Sequence, residues 1–499
     1  MWTSDMHEYP DEQIFTKSEI EDIFNHAVGK TLMEVDSRNV LERTKTHPKI
    51  TGIAGDVIER SVLGYRPNSR NAPDILVDGI ETEVKVTGVV ADPESKGTKE
   101  MFIAKEPMTI TAVSIKTIGS QEFLSSPFYE KIDHMLIVYY LYMSNPSGKT
   151  QAADYAEFPI KGYELHEFSE DDIRKIEHDW TLIRDFIRTI DETYEKPEME
   201  YPRLSSELRG SLLCLDTAPK WPNPPRFRFK RAFVTDMVRQ HFGRCRSAEE
   251  GNLSDFESVD ELEALCHATS ERYRGRTIRE LAEDLDVSVA RARKSVSEQI
   301  VISMLGGGTT KMRNIGILER CSILPFSIVL NPGGGPTEST KLMGIDFDEF
   351  LDKGIQFQDS GIFDYFVNNS FLAIVFQETE KDNLLSSRFL GFKKIVFPMS
   401  FIKKQVRRTW KDTRRIVWSG HLRETERRRK DGSLIINKNG TVSTTINLPK
   451  SRDHPVFIRG TGQDSSRKTE EVNGIRMYRQ NIWIKGKTIV EFLDSIEYL

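Results

Sequence analysis

The sequence predicts an α+β fold that occurs twice in one chain. Three observations carry this expectation. Helix-like and strand-like stretches mix without a regular strand–helix alternation, which argues against a doubly wound sheet. Asp78-Gly79 stands between two apolar runs, the strongest local signal for a two-residue hairpin turn, because both turn residues need φ > 0. A series of apolar landmarks in the first half recurs in the same order in the second. At 499 residues the chain has room for two or three domains, each with its own core.

In chain order, a polar and acidic start (Met1 to Glu12) is followed by a helix expected over Lys17 to Val28. A second apolar-periodic stretch, Gly52 to Leu63, carries Glu59 and precedes the hairpin. Thr109 to Ile115 and His134 to Tyr142 read as strands, and Glu170 to Ile190 as a helix around Trp180. Residues 193–226, rich in Pro, Glu and Ser, read as loop. The acidic, glycine-containing stretch that follows places a linker at 246–265, between domains at 1–245 and 266–499.

The hairpin suggests chemistry. With Asp78 and Gly79 as the turn, Val77 pairs with Ile80, Leu76 with Glu81, Ile75 with Thr82 and Asp74 with Glu83. Directly opposed residues share a sheet face, and Lys85, two residues beyond Glu83, joins them. Two carboxylates that close repel unless a cation lies between them, and oxygen ligands suit a hard ion such as Mg²⁺. A lysine beside them can position and polarise an attacking water, the layout of metal-dependent phosphodiester cleavage. Glu81 is the rival ligand, nearer the turn and opposite Leu76.

The second half reads as a worn copy. Val62-Leu-Gly matches Met304-Leu-Gly, Phe128 to Val138 matches Tyr365 to Val375, the helix of Trp180 matches that of Trp410, and Phe227-Arg-Phe-Lys230 matches Ile482-Trp-Ile-Lys485. At these offsets Glu59 becomes Val301, Asp74 becomes Gly316, Glu83 becomes Pro325, Lys85 becomes Ser327 and Lys131 becomes Asn368. Apolar positions persist while the charged ones disappear, as in a retained fold with a discarded active centre.

Composition sets bounds on these readings. The net charge of −6 averages over patches and does not veto a nucleic-acid binder. Four cysteines lie far apart, with no metal-ligand spacing. No apolar run approaches the length of a membrane span, so a soluble, reduced, cytoplasmic protein is expected.

Gly55-Asp56-Val57-Ile58-Glu59, Pro73-Asp74, Glu83-Val84-Lys85, Lys131 before an apolar strand, and Phe227-Arg228-Phe229-Lys230 resemble the MutH mismatch-repair endonuclease. The duplicated layout resembles more closely the two-domain, GATC-cutting Sau-type restriction enzymes. The resemblance implies a restriction-endonuclease core of the PD-(D/E)xK type, Mg²⁺ dependence and cleavage of double-stranded DNA in a prokaryotic cell. It also implies metal ligation by Asp74, Glu83 and Glu59, service of the attacking water by Lys85, and completion of the centre by Lys131. A cognate DNA methyltransferase would be the functional partner. The gap from Asp74 to Glu83 is somewhat longer than the MutH pattern, which bears on the hairpin register.

Two further segments suggest DNA contact. Residues 403–430 are strongly basic, with Trp410 and Trp418 interleaved. They read either as a solvated helix face or as phosphate contacts, with Arg427, Arg428 and Arg429 among them. Arg228, Lys230 and Arg231, alternating with aromatics, are the candidates for base contacts, and Lys485 is their counterpart in the second half. Residues 275–294 mimic a helix-turn-helix, but Gly29-Lys-Thr-Leu-Met-Glu-Val holds the same place in the first half, so the opening helices of the repeat are the preferred reading. The sequence therefore points to a type II restriction endonuclease, active in its first half, monomeric when free and dimerising on DNA. The alternatives are a methylation-sensing nicking enzyme and a DNA-binding regulator with a vestigial hairpin.

Overall fold

The computed structural model describes residues 13–47, 52–65, 72–91, 101–143, 151–218, 225–243, 259–289, 295–306, 312, 318, 322–352, 354–381, 383–437, 440–462 and 468–499. The chain divides into two compact units, Met1–Ser247 and Ala248–Leu499. Both mix helices with sheets.

Unit 1 opens with β1 (Ile14–Phe15) and α1 (Lys17–Ala27), whose start is fixed by a capping box between Thr16 and Glu19. Helix α2 (Ile53–Val57) runs into a π-turn at Ile58–Val62. The strands β2 (Ile75–Val77), β3 (Ile80–Ala91), β4 (Phe102–Ala104) and β5 (Met108–Ala112) follow. Next come α3 (Pro127–Asp133), β6 (Met135–Leu141), β7 (Ile160–His166) and α4 (Glu170–Thr193). The unit closes with β8 (Leu215–Ala218), β9 (Arg226–Phe229) and α5 (Arg231–His241).

The main sheet runs β1-β2-β3-β6-β7, with β4 on the far end of β3, and a small sheet runs β5-β9-β8. Strands β3 and β6 are parallel. Residues 135–140 of β6 are all buried, as expected for a central strand covered on both faces.

The segment at 193–226 is more than the expected loop. It contains β8 and a short helix, Leu204–Glu207, because the buried Asp179 carboxylate accepts the backbone N–H groups of Leu213, Cys214 and Leu215 and draws this stretch into the core. Of the expected linker, residues 246–258 lie outside the described residues, while residues 259–265 are the first turns of α6 (Val259–Tyr273).

Unit 2 continues with α7 (Ile278–Asp284), α8 (Ser295–Met304), β10 (Ile323–Leu330), β11 (Thr340–Gly344), α9 (Gly361–Asn368), β12 (Ser370–Gln377), β13 (Arg388–Ile395) and α10 (Arg407–Trp418). After it come β14 (Glu424–Glu426), β15 (Thr444–Ile446), β16 (Val456–Thr461), β17 (Glu470–Val472), β18 (Ile475–Met477), β19 (Arg479–Ile484) and α11 (Gly486–Asp494). Its sheets include β10-β12-β13, with β10 and β12 parallel, and β11-β19-β16. No helix among the described residues is long and apolar enough to cross a membrane.

Candidate active site

The hairpin forms in the register that the turn chemistry dictates. Ile75 pairs with Thr82, Leu76 with Glu81 and Val77 with Ile80, and the two turn residues have φ of 50° at Asp78 and 80° at Gly79. The ladder ends at Ile75, and Asp74 continues it through other bonds. Its N–H donates to Thr82 O at 3.2 Å, and its Oδ2 accepts the N–H of Val84 at 3.0 Å. This pins the Asp74 carboxylate beside the strand that carries Glu83 and Lys85.

Glu83 lies at the centre of the site, with 2% of its side chain exposed. Oε1 accepts from Lys85 Nζ at 2.5 Å and Oε2 from Lys131 Nζ at 2.7 Å. Lys131, projecting from α3, also donates to Ala72 O at 3.0 Å and so fixes the chain just before Asp74. A buried carboxylate needs such partners, since desolvating a lone charge costs several kcal/mol. Glu81 is exposed near the turn and is not part of this group.

Glu59 approaches from the π-turn, an irregularity often found at functional sites. The turn is anchored by buried Asp36, which accepts from Ser61 Oγ at 2.7 Å while also capping Val40 and Leu41. Burial, and then the negative charges of Asp74 and Asp56, push the Glu59 carboxyl up to about 7. Asp74 is also raised, first by burial and then by Glu83. The sequence-derived set Glu59, Asp74, Glu83, Lys85 and Lys131 is thus brought into one electrostatic neighbourhood.

Two features of unit 1, one at the site and one farther along its sheet face, had no signal in the sequence. Tyr65 is almost wholly buried, its hydroxyl has no hydrogen-bond partner among the described residues, and its acidity is suppressed first by burial and then by Glu59, Asp74 and Glu83. On β7, Glu164 stands in the row Lys85–Ile137–Glu164 across three strands, hence on the same face. It accepts from Tyr139 at 2.5 Å and lies within 3.4 Å of His166 and 3.3 Å of His241. Burial opposes its charge, but these hydrogen bonds prevail and hold the carboxyl at about 2.

The acids offer hard oxygen donors whose mutual repulsion a divalent cation would relieve, so their chemistry fits Mg²⁺. In this conformation Glu83 is engaged by two lysines, and among the described residues no three His, Cys, Asp or Glu side chains converge as a ready cage.

Residues 63–179 match the family model described as DNA mismatch repair enzyme MutH. This stretch of unit 1 is similar to the MutH family. The matched stretch contains Asp74, Glu83, Lys85 and Lys131, and Glu59 lies just before it. No curated protein matches the chain. The match supports a nuclease acting on DNA.

The residues expected to contact DNA take different places. Lys230 is buried and donates to Leu212 O at 2.5 Å, so it is a core residue and not a groove contact. Arg228 forks onto Asp216 at 2.7 and 3.0 Å, and Arg231 donates to Ala104 O at 2.7 Å. Both are committed within the protein. Lys485 is exposed at the start of α11. In the basic stretch of unit 2, Arg414 is buried between Trp410 and Trp418, 4.7 and 4.0 Å from their ring centres, and donates to Asp352 O at 2.8 Å. That interleaving of basic and aromatic residues is in part core packing. Arg427, Arg428 and Arg429 are all exposed, with Arg428 held by Glu426 at 2.8 Å.

Proposed function

We propose that the protein is a type II restriction endonuclease that cuts double-stranded DNA at a short palindrome, GATC by resemblance, through Mg²⁺-dependent hydrolysis centred on Asp74, Glu83, Lys85, Glu59 and Lys131. The observation that carries this reading is the buried Glu83 carboxylate gripped by Lys85 and Lys131 beside a backbone-fixed Asp74. When bound by Asp74, Glu83 and Glu59, the ion would supply positive charge for the developing oxyanion. The residues divide the remaining work. Lys85, tethered to Glu83, is placed to orient a water and hold a proton near it. Lys131 ties Glu83 to the chain before Asp74 and keeps the two acids in register.

Unit 2 is read as an inactive, DNA-binding copy. Several paired details support this. Ser126 and Ser360 cap α3 and α9 with matching geometry, and each side chain donates to a phenylalanine carbonyl, Phe123 and Phe357, at 2.6 and 2.7 Å. Those phenylalanines pack on Trp180 and Trp410 at the same 5.7 Å separation. Thr31 and Thr277 each open a helix with a capping box, which favours the repeat over a helix-turn-helix. The strand orders β5-β9-β8 and β11-β19-β16 also correspond. Strand β10, parallel to β12 as β3 is to β6, carries no charged residue in place of Glu83 and Lys85. Two related units in one chain suit a palindromic site.

Digestion of a plasmid with Mg²⁺, followed by sequencing of the ends, tests the proposal. Linear product with ends at one palindrome supports it. A nicked circle as the final product assigns the methylation-sensing nicking activity instead, and intact plasmid with bound protein assigns a DNA-binding regulator.

A further inference from the structure

Unit 2 contains a cavity of about 500 Å³ between the β14–β15 pair, β16 and the stretch Met477–Gln480. Three cations line it, Arg427, Lys450 and Arg459, against one acid, Glu424. That acid is already engaged by Lys468 and by the hydroxyl of Thr444. Among the described residues none of the three cations has an acidic partner within ion-pair distance. Lys450 is half-buried, and burial followed by repulsion from Arg427 and Arg459 lowers its affinity for a proton. Arg459 is held in place: its guanidinium lies 5.2 Å from the Trp483 ring centre, and the indole N–H donates to Arg459 O at 3.3 Å. Hydroxyls of Ser339, Ser451 and Thr445 also line it.

Such an arrangement is electrostatically unsatisfied. Gathering three like charges around a cavity raises their energy, and an anion entering it would be bound by charge-assisted hydrogen bonds from two planar guanidinium forks and an ammonium. The cavity exceeds the size of one phosphate, leaving room for the sugars on either side of it. The two arginines are exposed at the rim while the lysine is recessed between them and the cavity wall's hydroxyls, so an entering anion meets cations at both depths.

We propose that Arg427, Lys450 and Arg459 form a phosphate-binding pocket that takes a backbone phosphodiester of duplex DNA. The choice of occupant rests on the reading of unit 2 as a DNA-binding unit; the anion pocket itself does not. A free phosphate compound shares the same chemistry, and the test separates the two sources.

The full chain and its Lys450→Gln and Arg459→Gln variants are titrated with a short duplex at several salt concentrations, without divalent metal. Each substitution is expected to flatten the slope of log K against log salt by about 0.9, the release of one counterion. Arg452→Gln, a change at an exposed arginine paired with Asp453, should leave the slope unchanged. In a parallel titration, pyrophosphate should alter the tryptophan fluorescence of the parent protein, and Trp483→Phe or Lys450→Gln should abolish the change. Unaltered salt slopes in both pocket variants overturn the DNA occupant. If pyrophosphate still acts through Lys450 in that case, the pocket serves a free phosphate compound. No response of Trp483 to pyrophosphate together with unaltered slopes overturns the pocket. Failure of the parent chain to bind any duplex overturns the DNA-binding reading, and the pyrophosphate titration then judges the pocket by itself. Because each substitution relieves repulsion, the variants should be at least as stable as the parent.

Discussion

Replacing Glu59 by Gln should stabilise the metal-free protein while destroying its activity. Burial and the neighbouring acids move the Glu59 carboxyl from its ordinary 4.5 to about 7. The folded state therefore holds this proton more tightly than the unfolded chain, and stability must fall as pH rises. The penalty is absent below about 4.5, grows across the interval, and is complete above about 7. At about 1.36 kcal/mol per pH unit, and allowing for residual solvent contact, it amounts to about 2–3 kcal/mol at pH 8. Gln has the shape of the protonated acid and no charge to lose, so it escapes the penalty. For a unit of this size that corresponds to a rise in melting temperature of roughly 4–12 °C. The assay is thermal unfolding of parent and Glu59→Gln in EDTA from pH 4 to 8.5, read as the difference between the two proteins so that other titrating groups cancel. The curves should meet at the acid end and separate with rising pH. Magnesium at pH 8 should raise the parent more than the variant, since binding to the folded state stabilises it. A variant less stable than the parent at pH 8 without metal, or a difference independent of pH, would refute the reasoning.

Other outcomes follow from the same geometry. Lys131→Met leaves Glu83 with one cation in a buried site and should cost about 2–4 kcal/mol in chemical denaturation, much of it restored in the double variant with Glu83→Gln. Lys230→Met should lower stability without changing the salt dependence of DNA binding, because that ammonium serves Leu212 O in the core; a changed salt slope would return it to the DNA interface. If each chain cuts one strand at a time, plasmids with two sites should be cut faster per site than plasmids with one, and the free protein should sediment as a monomer. Equal rates with no nicked intermediate would indicate a preformed dimer.

The sequence made some parts of this site legible and hid others for physical reasons. The hairpin was readable because Asp78-Gly79 imposes a turn, and the turn imposes the face shared by Glu83 and Lys85. The helices of Lys17 and Glu170 were readable from periodicity and end close to where the pattern does. The Glu164–His166–His241 group was not readable, because strand pairing and α5 bring it together from distant segments, and Tyr65 was not, because nothing in the local pattern shows that its ring turns into the acids rather than into the core. Local pattern misled at Lys230 and Arg414. Alternating basic and aromatic residues look alike whether the cation faces a phosphate or a buried carbonyl, and only burial separates the two cases. The polar segment 193–226 read as loop because its anchor, Asp179, lies on a helix that precedes it.

The central claim is that the hairpin Asp74–Lys85 is the catalytic centre of a DNA-cutting enzyme. The most direct test is cleavage of supercoiled plasmid with Mg²⁺ by the parent and by Asp74→Ala, Glu83→Ala and Lys85→Ala, with duplex binding measured on the same preparations. The account predicts metal-dependent cleavage by the parent, a loss of about 10³-fold or more in each variant, retained binding in all three, and near-normal cleavage by Glu81→Ala. Undiminished cleavage by any of the three variants would contradict it.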